Sequence, residues 1–251
     1  MTTGPAEHAP PPGDHTATAP RPRLADLPAG VTPAGVTPAS TVTARPGTDR
    51  GYPAPPALAD LLPGGMFRRG SSLEILGSGS LMLAVIAAAT THGQWTAAVG
   101  MPDLGCLAAA EHGVDLRRLV LIPHPGAHWP TIIAALVDGF DIVAARPPSP
   151  LTAPEHRRLA ARIRQRGALL ITTQPWDNAD VTLRVTSQRW HGLGQGRGRL
   201  KHRSVTVTVE GRGALTRARQ ITLWLPSPNG EPIAAYDNAG EEGTPAIRTV
   251  A

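Results

Sequence analysis

An α/β fold is predicted, with a mostly parallel sheet extended by antiparallel strands on its C-terminal side. Between Ser72 and Thr173 short apolar runs alternate with helical stretches, the rhythm of βαβ units whose sheet is covered on both faces. After Trp176 that rhythm stops. Three stretches there alternate apolar and polar residues, with Gly/Arg-rich turns and no helix between them, which is the pattern of antiparallel pairing.

The elements follow in order. Ser72 to Leu76 reads as a strand, Leu81 to about Thr91 as a helix, and Trp95 to Gly100 as the next strand. A short helix is expected at Gly105 to Glu111 and a strand at Leu119 to Ile122. Trp129 to Asp138 reads as a helix because Pro130 sits where a first turn accepts proline, and Asp141 to Ala145 as a strand. Glu155 to Gln165 carries the clearest helical signature, with Pro154 at its start, Leu159 and Ile163 on one face and Gly167 as its stop. Ala168 to Thr173 is a continuous apolar strand. The antiparallel strands are expected at Val181 to Thr186, Ser204 to Glu210 and Gln220 to Leu225.

Of the 251 residues, 1–56 contain 13 prolines, a short Val-Thr-Pro repeat (Val31 to Pro33, Val36 to Pro38) and almost no large apolar side chains. Such a stretch cannot bury enough surface to offset its conformational entropy, and it is expected to be a disordered Pro/Ala-rich tail. Residues 226–251, rich in Asn-Gly, Asp-Asn and Gly-Glu steps, read the same way. The folded domain is then 57–225, about 170 residues and ample for one core.

The formal net charge is +5, and arginine supplies all the basic residues except Lys201. From Arg184 to Arg219 there are nine Arg/Lys against Glu210 alone, a local excess that makes a positive field for phosphate backbones or a solvated basic face. The single cysteine, Cys106, rules out an internal disulfide and a cysteine-based zinc site, and is expected to be a small buried residue on its helix. No basic-then-apolar leader and no apolar run near 18 residues occur, so a cytoplasmic location without membrane contact is expected.

Leu73 to Val85 stands where a nucleotide-binding chain would carry its phosphate loop. Gly77, Ser78, Gly79 and Ser80 give a tight strand-to-helix turn, but there is no lysine to neutralise phosphate charge. Ser78 and Ser80 could hold a phosphate only weakly through the helix N-terminus. His124 and His128 lie four apart, yet Pro125 and Pro130 interrupt any helix that would pair them on a metal, and no metal is expected. His191 and His202 have no nucleophile beside them. Trp176 follows a parallel strand and either packs in the core or caps a vestigial ligand pocket. Glu74 alternates outward and is given no role.

Several stretches together resemble the core of RecA-type recombinases. Leu62 to Gly70 followed by Leu73 to Gly77 is similar to the lead-in to the RecA phosphate loop. Gly113 to Leu116, with Leu119, Leu121 and Pro123, is similar to the approach to its third strand; Phe140 to Val143 stands at the Walker B strand, and Leu169 to Gln174 at the strand ending in a nucleotide-sensing Gln. The resemblance implies a RecA-like three-layer core. This chain departs from it at three points: the loop lacks Lys, Arg146 stands where the family has an Asp that supports Mg²⁺, and the water-activating Glu aligns near Met101, with only Asp103 close by.

A RecA-like chain without this machinery resembles the mutasome accessory proteins of actinobacteria, the ImuA type. Pro56 to Gly65, Val99 to Gly105, Arg146 to Pro148 and Arg189 to Gly194 carry that likeness. It implies a non-enzymatic adaptor, with no catalytic residue and no cofactor, in DNA repair, the SOS response to DNA damage and translesion synthesis. The implied partners are a Y-family polymerase homologue and an error-prone replicative polymerase, with single-stranded DNA or RecA as further partners and a cytoplasmic, nucleoid-associated location. A single-stranded DNA-binding protein and a nucleotide-sensing recombination regulator are the alternatives. Arg189, Trp190, Arg197, Arg199, Lys201 and Arg203 form the candidate contact region. An aromatic ring in a Gly/Arg loop suits stacking on bases and phosphate binding; contact with a protein partner, or a plain hairpin with Trp190 packed on the sheet, are the other readings.

Overall fold

The computed structural model describes residues 51–194 and 197–225, with two short stretches at 233–234 and 248–249; the side chains of 192–194 and 197–202 lie outside the description. The disorder expected for residues 1–50 falls outside the described residues. The fold, however, begins ahead of Ala57. Tyr52–Pro53 (β1) pairs antiparallel with Met66–Phe67 (β2), and Tyr52 is fully buried, with its hydroxyl donating to the Gly167 carbonyl at 2.8 Å and the Arg69 guanidinium over its ring. A single aromatic among prolines has no periodicity to reveal it, although it buries as much as any core residue.

A short helix, Pro56–Ala59 (α1), precedes the alternating core: β3 (Ser72–Leu76), α2 (Gly79–Thr91), β4 (Thr96–Val99), α3 (Cys106–Glu111), β5 (Leu119–Ile122), α4 (Trp129–Gly139), β6 (Ile142–Ala145), α5 (Ala153–Arg166) and β7 (Leu169–Thr172). Then come β8 (Val181–Gly194), β9 (Arg197–Gly211) and β10 (Arg219–Trp224). Two short strands from the expected C-terminal tail, Ile233–Ala234 (β11) and Arg248–Thr249 (β12), pair with β10. The sheet order is β11-β10-β9-β8-β3-β7-β6-β4-β5, with β12 also on β10. β8, β3, β7, β6, β4 and β5 run parallel, and β8 through β12 pair antiparallel.

Strand alternation sends side chains to two apolar clusters, one on each face. Ile142, Ala144, Leu169 and Ile171 join α2; Val143, Ala145 and Leu170 join α4 and α5. α2 is apolar nearly all round and buried accordingly, while α5 is amphipathic and buries Leu159 and Ile163. A capping box, Thr152 with Glu155, starts α5, and Gly167 ends it at φ 69°. Asp138 on α4 accepts from Arg162 and Arg166 and so locks α4 against α5.

The expected Gly/Arg turn is corrected to strand over 187–194 and 197–203, residues 195–196 lying outside the described residues. The register shift between Val185 and Ser187 puts an extra residue into β8 and the one between His191 and Leu193 puts extra residues into β9, which breaks the apolar-polar alternation while the ladder continues. Among the described residues, no helix is long and apolar enough to cross a membrane.

Candidate functional site

The Gly77–Ser80 segment is a tight turn from β3 into α2. Gly77, at φ 88°, turns the chain from β3 into α2 in a conformation that a side chain resists. Ser78 is the N-cap of α2: its Oγ accepts the Leu81 N–H at 3.2 Å. That hydroxyl therefore occupies one of the free N–H groups an anion would use, and Ser80 lies within the helix.

Beyond the C-terminal ends of β4 and β6 the structure brings together Arg146 and Asp103. Arg146 Nη1 donates to Asp103 Oδ1 at 2.7 Å, and this bond holds the Asp103 carboxyl below the usual carboxylate range. Gly100 makes the close approach of these ends possible, since a Cβ there would lie 2.3 Å from the Arg146 carbonyl oxygen. The geometry is that of a self-neutralised ion pair, which carries no excess charge for a phosphate or a cation.

The candidate contact region forms a β-ribbon. Trp190 and Arg203 face each other across β8 and β9, the guanidinium lies 5.3 Å from the ring centroid, and Trp190 is 49% exposed. Arg203 also donates to Gln188 Oε1 and to the Leu225 carbonyl, each at 3.2 Å, and burial lowers its pKa from the ordinary value. Arg189 is exposed and pairs in register with Ser204. His191 contacts Ser204 Oγ at 2.9 Å and meets the Trp224 ring edge-on at 4.8 Å. The backbones of Arg197, Arg199 and Lys201 run in β9, and their side chains lie outside the described residues.

Three expectations are corrected. Cys106 is exposed, because it opens a short helix whose buried residue is Ala109. Trp176 is half-buried: it packs against the apolar cluster of α4 and α5 from its edge and on His156, with ring centroids 4.7 Å apart, and borders two clefts, so it is peripheral to the core rather than within it. Glu74 points away from the α2 side as alternation requires, yet it is only 7% exposed. It accepts the Trp176 N–H at 2.9 Å and the Thr182 hydroxyl at 2.8 Å.

These contacts explain how β7 reaches β8. Both strands flank β3 in parallel, and residues 173–180 alone connect them, fewer than the dozen or more that a parallel crossover usually needs. The short path closes because the strands are staggered: β7 ends level with Glu74 and β8 begins level with Leu73. Glu74 holds the connection at Trp176, and the Ser72 backbone and hydroxyl both donate to Asp180 Oδ2, at 2.9 and 3.1 Å. The sequence signal for this was present as a carboxylate inside an apolar strand facing a segment too short for a helix.

Residues 60–178, a little under half of the chain, match the model of the MT3502 N-terminal domain family. The match spans the parallel core and ends in the connection before β8. The chain is also similar to an uncharacterized protein, Rv3395c, of Mycobacterium tuberculosis (strain ATCC 25618 / H37Rv), with 38% identity over 133 residues. That alignment covers 51% of this chain and 65% of the relative, so somewhat less than two thirds of the relative's length is spanned. Both likenesses fit an actinobacterial protein.

Proposed function

We propose that this chain is a non-catalytic RecA-like accessory protein of the ImuA type, which serves DNA-damage-induced mutagenesis and translesion synthesis as an adaptor for error-prone polymerases. The observation that carries the reading is the Arg146–Asp103 pair, together with the Ser78 cap: at both places where the RecA resemblance puts phosphoryl-transfer groups, the chain's own groups bond to each other. The order of the sheet supports it too. A central parallel strand runs into the degenerate loop, and an antiparallel ribbon extends the sheet beyond it, as the RecA resemblance implies.

A tagged copy recovered from DNA-damaged cells of the source organism tests the reading. Recovery of a Y-family polymerase homologue and a replicative-type polymerase subunit is the expected result. ATP hydrolysis that responds to DNA would overturn it in favour of an active RecA paralogue, and Arg146→Asp alone is expected to leave hydrolysis absent because the loop still lacks Lys. A second reading, direct binding of single-stranded DNA, is favoured by the exposed Trp190 ring stacked under Arg203, an arrangement open to a base on its free side.

A further inference from the structure

The short β7–β8 connection leaves part of one face of the sheet, from β3 to β10, without a helical layer. α5 covers β6 and β7, and the extended segment 173–180 covers β3, but the same face of β8, β9 and β10 presents mainly polar side chains, with Trp224 at the far end of β10. Arg184 and Thr208 face each other in register there, and Thr206 is bonded to Thr222. Between α5 and the connection lies a cleft of about 340 Å³, lined by Ser72, Arg157, Arg164, Trp176, Asp180 and Arg212 among others. Its size falls in the range of ligand clefts, about 300–1,000 Å³.

The arginines on α5, together with Arg212, which follows β9, divide into two sets. Arg162 and Arg166 share the single carboxylate of Asp138. Arg157, Arg164 and Arg212 are exposed, and among the described residues no carboxylate pairs with them. The one acidic lining residue, Asp180, has its carboxylate Oδ2 engaged by Ser72. Asn178, on the same wall, is the one described non-glycine residue at positive φ, 59°, a conformation Asn tolerates and tight clamps use.

We infer that this cleft binds the phosphodiester backbone of a single-stranded nucleic acid through Arg157, Arg164 and Arg212. A missing crossover helix could be supplied by a partner, but a helix docks to bury a broad apolar surface, and next to the cleft this face offers threonines and arginines, with Trp224 alone at the far end of β10. Unpaired guanidinium groups beside a half-exposed Trp176–His156 pair match a strand that carries both phosphates and bases. The inference does not depend on the adaptor reading and concerns residues separate from the Trp190 ribbon.

Fluorescence anisotropy with a labelled oligothymidylate and the full chain, at salt from about 50 mM upward, tests it. The triple variant Arg157→Gln, Arg164→Gln, Arg212→Gln is expected to bind about tenfold more weakly and to lose about 0.7 of salt slope per arginine. Arg162→Gln with Arg166→Gln is expected to change affinity less than about threefold, and a triple Arg→Lys variant to retain most binding, which shows that the fold survives. Equal losses in both Gln sets, or no oligonucleotide binding by the parent chain, overturn the inference. Saturation by AMP or inorganic phosphate without strand binding overturns it in favour of a small-anion site. Loss of binding only in Trp190→Ala assigns the strand to the ribbon alone. None of these outcomes bears on polymerase capture, so the adaptor reading stands or falls separately.

Discussion

The parallel core and the antiparallel ribbon share one sheet but solve the burial of their surfaces differently. In the core, β6 and β7 are covered on both faces: Ile142 and Ala144 pack toward α2 while Val143 and Ala145 pack toward α4 and α5, and all four are buried. In the ribbon, Val205, Val207 and Val209 pack on one face, and Thr206, Thr208 and Glu210 look the other way. The difference comes from connectivity. Crossover helices cover the core because parallel strands must be joined across a face, whereas hairpins need no such layer and leave a face in water. The likeness to the MT3502 N-terminal domain stops where this change begins.

The largest expected effect tests the two-faced burial. Leu170→Ala, at a fully buried position between the core strands and α5, is expected to cost about 3 kcal/mol in chemical denaturation. A loss under about 1 kcal/mol would show that this layer is loosely packed.

The joint between the two regions comes next. Glu74→Ala removes the acceptor for the Trp176 N–H and the Thr182 hydroxyl, and a loss of about 2 kcal/mol is expected, together with faster amide hydrogen exchange at Trp176. Protection unchanged at Trp176 would show that the short connection holds without its carboxylate.

A smaller effect separates the helices that only the core possesses. Bonds from Arg162, and then from Arg166, hold the Asp138 pKa below the ordinary carboxylate value in the folded chain. The stabilisation this supplies is complete above the unfolded-state pKa and is lost as pH falls through the lowered folded-state pKa. Asp138→Asn should therefore melt below the parent at neutral pH, by a modest margin because the pair is partly exposed, and the two melting curves should converge in acid. A constant difference across that range would break the assignment.

The smallest expected effect belongs to the ribbon's open face. Thr222→Val should stay within about 0.5 kcal/mol of the parent, since its partner Thr206 keeps access to water. A substantial loss would mean that this face is buried against something in solution.

The α/β class, the order of the core elements and the start and stop of α5 were legible in the sequence, because periodicity, Pro154 and Gly167 act within a few residues of one another. The absence of lysine from the Gly77–Ser80 loop was legible for the same reason. The strand identity of 187–194 and 197–203 was hidden, since register shifts scramble alternation while backbone hydrogen bonds, which no side chain encodes, continue the ladder. Only the tertiary structure decided that Arg146 meets Asp103, that Tyr52 belongs to the core and that Glu74 pins residues 173–180. Each of these joins residues from separate segments, with Glu74 and Trp176 lying 102 positions apart, and such distances are set by the stagger of strands rather than by any local pattern.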